Sequence, residues 1–181
     1  MTTTRRGFLK AATAASLSMS GLRARGNSPN ERIRVGVIGT GVRGKYLIGN
    51  LPPSVTVGAI CDCVSLRIAS VMEPKGEFAK VLAPFTQTDA AKCATFQDYR
   101  RLLDRAKAKD KLDAVIIATP DHWHVPMTAD ACAAGKDVYV EKPLTHTPAE
   151  GPAVIEAQNK HRRIVQVGMQ QRSMPHMLKG C

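Results

Sequence analysis

A glycine-rich turn between two short apolar runs constrains the fold of this 181-residue chain more than any other feature. The first run begins at Ile33 and leads into Gly39-Thr40-Gly41-Val42-Arg43-Gly44, and a helix-like segment covers residues 42–51. A second apolar run, residues 55–60, is followed closely by Asp62. Strand, glycine turn, helix, strand and acid is the order of a dinucleotide-binding βαβ unit.

Each glycine of this turn has a distinct physical role in such a unit. We expect Gly39 to allow the tight turn, Gly41 to let a pyrophosphate approach the backbone, and Gly44 to let helix and strand pack closely. The free N–H groups at the start of the helix, together with its dipole, favour the phosphate charge. The predicted cofactor-binding loop consists of Gly39, Thr40, Gly41, Val42, Arg43 and Gly44.

Asp62 is the candidate acceptor for a ribose hydroxyl, because it lies 18 residues beyond Gly44 at the end of the second predicted strand. A carboxylate at this position repels a 2′-phosphate, so NAD is slightly favoured over NADP as the cofactor. Arg43 and Arg67 lie near enough in the sequence to offset that repulsion. NADP therefore remains the alternative cofactor.

The remaining sequence alternates between strand and helix patterns. The apolar run at 113–119 is typical of a strand that is buried on both faces of a parallel sheet. Pro84 and a polar cluster at 86–89 predict a loop or insertion over residues 77–91. The other predicted elements are helix 65–71, edge strand 92–95, helix 99–107 capped by Asp98, helix 125–134, strand 137–140, helix 147–161 and strand 164–168. This alternation predicts an α/β fold, a doubly wound parallel sheet of the Rossmann type.

Charge and cysteine content argue against several other functions. The formal net charge is +11, but five of the 26 basic residues precede residue 27, and aromatic residues make up only 4% of the chain. Nucleic-acid binding is therefore not expected. The five cysteines form no Cys-x-x-Cys pair, which argues against a disulfide framework. Cys61, Cys63, Cys93 and Cys132 are predicted to be small buried side chains, with Cys61 and Cys63 on the face opposite Asp62, whereas no environment is predicted for Cys181.

Residues 1–27 are predicted to be a leader rather than part of the fold. Thr4-Arg5-Arg6-Gly7-Phe8-Leu9-Lys10 precedes a mildly apolar segment, residues 11–22, that is too short and too polar to span a bilayer stably. This pattern resembles a twin-arginine export signal. It predicts the twin-arginine export machinery as a partner and a periplasmic or other extracytoplasmic location.

The carboxyl ends of four predicted strands gather the unusual residues. Ligands of open α/β sheets bind at those ends, which here carry residues 39–44, Asp62, and residues 119–124 and 141–143. Three segments, GVIGTGVRG, ATPDHWHVPMTADACAAGKDVYVEKPL and VQVGMQQRS, resemble the N-terminal domain of the Gfo/Idh/MocA oxidoreductases, the glucose–fructose oxidoreductase and inositol dehydrogenase family. The resemblance covers about residues 31–173.

The family resemblance implies a role for each motif. The glycine loop would bind the dinucleotide, and Lys142 would act catalytically on the substrate. The residues implied to bind the cofactor on its nicotinamide side are Thr119, Pro120, His124 and Glu141. The resemblance also implies that the Lys142–Pro143 peptide bond can be cis.

Lys142 suits this role on its own chemistry. A lysine that precedes a proline at a strand end is held in an extended conformation, which restricts its stem. Its ammonium group can hydrogen-bond a substrate hydroxyl and stabilise the developing alkoxide while hydride leaves the carbon.

A metal site is not expected near the histidines. His122, His124 and His146 offer imidazoles, which suit zinc. No carboxylate or cysteine partner accompanies them at a fixed spacing, so ordinary hydrogen bonding is favoured. Trp123 is expected to pack under a ring or to form a wall of the sugar site.

The family also has a second α/β domain, which carries the substrate pocket, the oligomer contacts and an Asp-x-x-x-His pair. No such pair follows Lys142 in this chain. We therefore expect a dinucleotide-binding domain at 31–170 and, at 171–181, the start of a linker to a missing domain. Such a chain would bind a dinucleotide but turn over poorly, and homo-oligomers are expected only for a full-length form.

Three functions are compatible with these observations. The leading hypothesis is an NAD(P)-dependent oxidoreductase that acts on a sugar, a cyclitol or a related polyol. The NAD-dependent N-acetylgalactosaminidases share the fold, but they tend to depart from the Glu-Lys-Pro motif that this chain keeps at 141–143. The third hypothesis is a non-catalytic dinucleotide-binding fragment.

Overall fold

The computed structural model describes residues 32–105 and 112–169 of the chain. The leader predicted for 1–27 and the linker predicted for 171–181 lie outside these residues, as do the last two residues of the helix predicted for 99–107. The described strands are β1 (Ile33–Ile38), β2 (Val55–Cys61), β3 (Ala94–Phe96), β4 (Ala114–Ile117), β5 (Asp137–Glu141) and β6 (Val165–Gly168).

These six strands form one parallel sheet in the order β3-β2-β1-β4-β5-β6. The described helices are α1 (Val42–Gly49), α2 (Ser65–Met72), α3 (Glu77–Val81), α4 (Ala83–Thr88), α5 (Tyr99–Arg105), α6 (His124–Ala133) and α7 (Gly151–His161). The chain runs outward from β1 to β3, then returns to continue from β4 to β6. This reversal beside β1 is the switch point at which a doubly wound sheet binds its ligand.

Both faces of the sheet are covered, which explains why its central strands are continuous apolar runs. Successive side chains of a strand point to opposite faces. Accordingly, Val115 and Ile117 pack with α5 and α6, whereas Ile116 packs with residues of α1, α2 and α4. The two apolar clusters confirm the predicted doubly wound α/β fold.

Residues 77–91 were expected to form a loop or an insertion, and the loop alternative is wrong. The chain there forms α3, α4 and a 3-10 turn, Ala90–Lys92. Pro84 lies in the first turn of α4, where a helix needs no backbone N–H donor from it. Leu82 and Phe85 are buried against the sheet, and this burial stabilises short helices that have little intrinsic stability.

Within the described ranges, every helix falls short of the length and apolar character that crossing a bilayer requires.

Candidate functional site

The glycine loop joins β1 to α1 in a geometry that needs glycine at two positions. Gly39 has a φ of +93°, a conformation that L side chains rarely adopt. A Cβ atom on Gly44 would lie 2.1 Å from the carbonyl oxygen of Gly39, so only glycine lets α1 pack this closely. Gly41 differs, because a Cβ atom there would meet nothing within 4 Å. Open space at Gly41 is what a ligand that approaches the backbone requires.

The first turn of α1 is available to an anion. Gly41 is the N-cap residue, and no side chain among the described residues caps the helix. The first N–H groups of a helix have no partner within it, and the helix dipole adds partial positive charge there. No acidic side chain lies in this turn, which contains Val42 and the cation Arg43. A pyrophosphate therefore fits this end of α1.

Asp62 fixes the loop from the end of β2. Its carboxylate is buried, and Oδ2 accepts hydrogen bonds from the Thr40 backbone N–H at 2.9 Å and the Thr40 hydroxyl at 3.2 Å. Oδ1 accepts from the backbone N–H of Val64 at 3.0 Å. The guanidinium of Arg67 lies 3.9 Å from Oδ2. Asp62 thus ties the glycine loop to the turn after β2.

A cavity of about 460 Å³ lies at this carboxyl edge of the sheet. It is lined by Gly39, Gly41, Asp62, Thr119 and Pro120 among the predicted site residues. Sequence reasoning missed other residues of its wall, namely Cys63, Gln97, Asp98, Tyr99, Arg100 and Met127. Another cavity, of about 510 Å³, lies beside Arg32, Thr56 and Lys92 and contains none of the predicted residues.

Tyr99 and Trp123 give the cavity its aromatic wall. The Tyr99 hydroxyl donates a hydrogen bond to Asp130 at 2.7 Å, and burial, followed by that bond, raises the pKa of Tyr99 to about 12. The guanidinium of Arg100 lies over the Tyr99 ring. Trp123 is 40% exposed and shares the wall with Pro120. Because its pKa is raised, Tyr99 is uncharged near neutral pH, and an apolar ring can pack against the Tyr99 and Trp123 side chains.

Glu141 and Lys142 lie at the end of β5. The guanidinium of Arg43 donates to one oxygen of Glu141, Oε1, from Nε at 2.7 Å and from Nη2 at 2.6 Å. Lys142 is exposed, and its peptide bond to Pro143 is cis, as the resemblance implied. The basic partner that Glu141 contacts is therefore Arg43 of the glycine loop, 98 residues away in sequence.

Tyr139 and Gly168 complete the surroundings of Glu141. The Tyr139 hydroxyl donates to Glu141 Oε1 at 3.4 Å. Burial, followed by the Glu141 carboxylate, raises the pKa of Tyr139, so the group remains a neutral donor. A Cβ atom on Gly168 would lie 2.5 Å from the Tyr139 hydroxyl and 3.0 Å from Glu141 Oε1. Glycine in β6 therefore leaves the space that both side chains occupy.

His124 joins the loop after β4, which contains Thr119, to the loop after β5, which contains Pro143. It is 1% exposed, with Nε2 at 2.9 Å from the Thr119 carbonyl oxygen and Nδ1 at 2.8 Å from the Pro143 carbonyl oxygen. A second link is nearby, where His146 Nδ1 lies 3.1 Å from Asp121 Oδ2. Both ring nitrogens of His124 face protein carbonyls, so contact with a cofactor stays a prediction for this residue. In the part of the chain that the structure describes, no three His, Cys, Asp or Glu residues are grouped to hold a metal ion.

Comparison with known proteins identifies this arrangement. Residues 33–169 match the family model GFO_IDH_MocA, described as an oxidoreductase family with an NAD-binding Rossmann fold. The chain belongs to this family. The predicted family and NAD-binding domain are thereby confirmed.

Relatives of this Gfo/Idh/MocA chain include proteins with two kinds of name. It is 34% identical over 169 residues to glycosyl hydrolase family 109 protein 2 of Shewanella sp. (strain ANA-3), covering 81% of the chain and 35% of that protein. It is 32% identical over 155 residues to inositol 2-dehydrogenase of Rubrobacter xylanophilus, covering 83% of the chain and 38% of that protein. The chain thus spans little more than a third of these relatives.

The fold is shared with scyllo-inositol dehydrogenase from Lactobacillus casei, whose crystal structure contains bound NAD(H) and scyllo-inositol. The TM-score is 0.66 at 19% sequence identity, and the match covers 83% of this chain and 40% of that one. At 19% sequence identity, this similarity shows a shared fold and nothing more specific.

Proposed function

We propose that this chain supplies the cofactor-binding half of an NAD(P)-dependent oxidoreductase that transfers hydride between nicotinamide and a sugar, cyclitol or related polyol. The observation that carries the proposal is the link between Arg43 in the glycine loop and Glu141, the residue before Lys142. It joins the loop suited to a pyrophosphate to the loop that bears the candidate catalytic ammonium group. The relative named inositol 2-dehydrogenase supports the substrate class.

Four parts of the site have separate tasks in this proposal. The nicotinamide ring, when bound, supplies the carbon that takes or gives the hydride. The N–H groups of the α1 first turn hold the pyrophosphate, and Asp62 faces the ribose. Lys142, exposed beside the buried Glu141, donates to the substrate hydroxyl and stabilises the negative charge that develops on its oxygen. His124 holds the Thr119 and Pro143 backbones, which keeps the Lys142 loop in place.

A binding experiment tests the assignment of the substrate end. NADH is bound to the chain, its fluorescence is recorded, and inositols, sugars and other polyols are added one at a time. A polyol that changes the signal with wild type, but not with Lys142→Met, supports the proposal. Full retention of the response by Lys142→Met would remove Lys142 from the substrate site.

A second function deserves a direct comparison, because a relative at 34% identity is named a glycosyl hydrolase family 109 protein. In that alternative, NAD would be oxidant and reductant within one cycle and would be regenerated at its end. In a protein that joins this chain to a substrate domain, release of the aryl group from an aryl N-acetylgalactosaminide without net NADH formation would favour it. NADH formation with a free polyol would favour the oxidoreductase, which the retained Glu-Lys-Pro motif at 141–143 also supports.

We also propose that residues 1–27 direct twin-arginine export to an extracytoplasmic location. The support is the sequence from Thr4 to Lys10 followed by a mildly apolar segment. The test is cell fractionation of the chain in a bacterial host that has the twin-arginine machinery. Replacement of both Arg5 and Arg6 by lysine should leave the protein in the cytoplasm, and continued export of this variant would contradict the assignment.

A further inference from the structure

We propose that the ion pair between Arg43 and Glu141 sets the ratio of this chain's affinities for the oxidised and the reduced nicotinamide cofactor. The pair connects the first turn of α1 with the last residue of β5. The inference rests on the proposed function, since it needs a bound nicotinamide cofactor. It adds a role for two charged residues acting as a unit.

The position of the pair follows from the sheet topology. Asp62 marks the end of β2, where a doubly wound sheet binds the adenosine ribose, and the pyrophosphate lies at the start of α1. The strand order reverses between β1 and β4, so the other half of a dinucleotide extends toward the ends of β4 and β5. Glu141 ends β5. Glu141 and Arg43 therefore form a charged pair on the nicotinamide side of the loop.

The two partners differ in exposure. The Glu141 side chain is 5% exposed, whereas the Arg43 side chain is 38% exposed. A buried carboxylate without its cation would create a strong negative potential, because little water screens it. Two short contacts from Arg43 to Oε1 largely cancel that charge. The nearby Tyr139 hydroxyl adds a neutral dipole and no net charge.

The charge balance between Arg43 and Glu141 affects cofactor binding because the two forms of the cofactor differ in charge. The oxidised nicotinamide ring carries a positive charge, and the reduced ring is neutral. A negative site consequently favours the oxidised form, and a positive site favours the reduced form. Because both forms have the same pyrophosphate and adenosine, contacts of Arg43 with the phosphates alter both affinities alike. The affinity ratio therefore isolates the charge effect from general losses in binding or stability.

The experiment measures dissociation constants for NAD⁺ and NADH by isothermal titration calorimetry with the 181-residue chain. The variants are Arg43→Gln, Glu141→Gln, their double combination, and Arg43→Lys, which keeps the charge. Lys45→Gln is the matched control, because Lys45 belongs to the same helix but its ammonium lies over the Phe78 ring, away from Glu141. Chemical unfolding of each variant serves as the check that the variant is folded.

Opposite shifts are expected from the two single variants. A unit charge about 10 Å away at an effective dielectric constant of about 20 changes a ratio of binding constants roughly tenfold. Arg43→Gln should shift the ratio about tenfold toward NAD⁺, and Glu141→Gln about tenfold toward NADH. The double variant, Arg43→Lys and Lys45→Gln should stay within about twofold of wild type.

Two outcomes overturn the inference and can be told apart. If the variants bind both forms with the wild-type ratio, the pair has only a structural role and the proposed function stands. If wild type binds neither form, the inference and the proposed function fail together. If Arg43→Gln does not fold, the ratio of NAD⁺ and NADH affinities of Glu141→Gln tests the inference alone, because Glu141→Gln leaves no buried charge.

Discussion

The Nε2 atom of His124 lies 2.9 Å from the carbonyl oxygen of Thr119, and its Nδ1 atom lies 2.8 Å from that of Pro143. One buried ring thus connects the loop after β4 to the loop after β5. Both contacts end on backbone atoms, so their geometry depends on the fold of each loop and not on the side chains at 119 and 143. The imidazole is a bridge between the two loops that border the candidate active site.

Replacing His124 by alanine should destabilise the protein strongly. The change removes the contacts of the ring with two backbone carbonyl oxygens, at least one of them a hydrogen bond, and opens a cavity, which together cost roughly 2–4 kcal/mol of unfolding free energy. The measurement is urea unfolding of the wild type and the variant. The matched control is His122→Ala, because His122 is exposed and lies two residues away. That control should change stability by less than about 0.5 kcal/mol. Equally small losses of unfolding free energy in the two variants would mean that the His124 contacts contribute little to stability.

The Asp121–His146 contact predicts a shifted titration. The hydrogen bond with His146 is the main cause that holds the pKa of Asp121 below its ordinary value of 3.8. Because the folded-state pKa is lowered, the stabilisation is present above pH 3.8 and is lost as the pH falls through the folded-state pKa. His146→Gln should raise the pKa of Asp121 toward 3.8, though not fully, since the His122 backbone N–H still donates.

The direct measurement is an NMR titration of the side-chain carboxyl of Asp121 in the wild type and in His146→Gln. High salt should reduce the difference between them, because both groups are exposed and charge interactions there are screened. An identical pKa of Asp121 in the two proteins would show that the contact does not form in solution.

Cys63 should be the reactive thiol of the described cavity. Its side chain is exposed on the cavity wall beside Asp62. Cys61 should not react near neutral pH, because burial, followed by the Asp62 charge, raises its pKa to about 12. Bound NAD should slow alkylation of Cys63 about tenfold at ten times its dissociation constant.

The experiment is alkylation with iodoacetamide, followed by mass spectrometry of the peptides so that each cysteine is quantified separately. Cys93 serves as an internal control, since burial raises its pKa to about 12 and it lies outside this cavity. An alkylation rate for Cys63 that saturating NAD leaves unchanged would place the cofactor elsewhere.

The sequence predicted the framework of the fold because strand order and glycine spacing are local patterns. Each of the six predicted strands occurs, with ends displaced by a few residues. The tight turn at Gly39 and the close packing at Gly44 are also as predicted, whereas the approach of a pyrophosphate to the open space at Gly41 stays a prediction. Asp98 caps the start of α5 as predicted, since its Oδ1 accepts from the Arg100 backbone N–H at 2.9 Å.

Long-range and end-of-element features could not be predicted in the same way. Arg43 and Glu141 meet only because the sheet brings the ends of β1 and β5 to one edge, and no local pattern encodes their pairing. Cys63 was expected to be buried, but β2 ends at Cys61, so the alternation of faces does not extend to it. The same strand end leaves Asp62 free to turn toward Thr40.

The measurement that tests the central claim most directly is NAD(H) binding by the chain and by Gly41→Val. Gly151→Val is the matched control, because a Cβ atom at either glycine meets nothing within 4 Å of it. Both variants should therefore fold. We expect wild type and Gly151→Val to bind alike and Gly41→Val to bind more than about tenfold more weakly, a loss above roughly 1.4 kcal/mol. Equal binding by Gly41→Val, or no binding by the wild type, would contradict the cofactor site described for this chain.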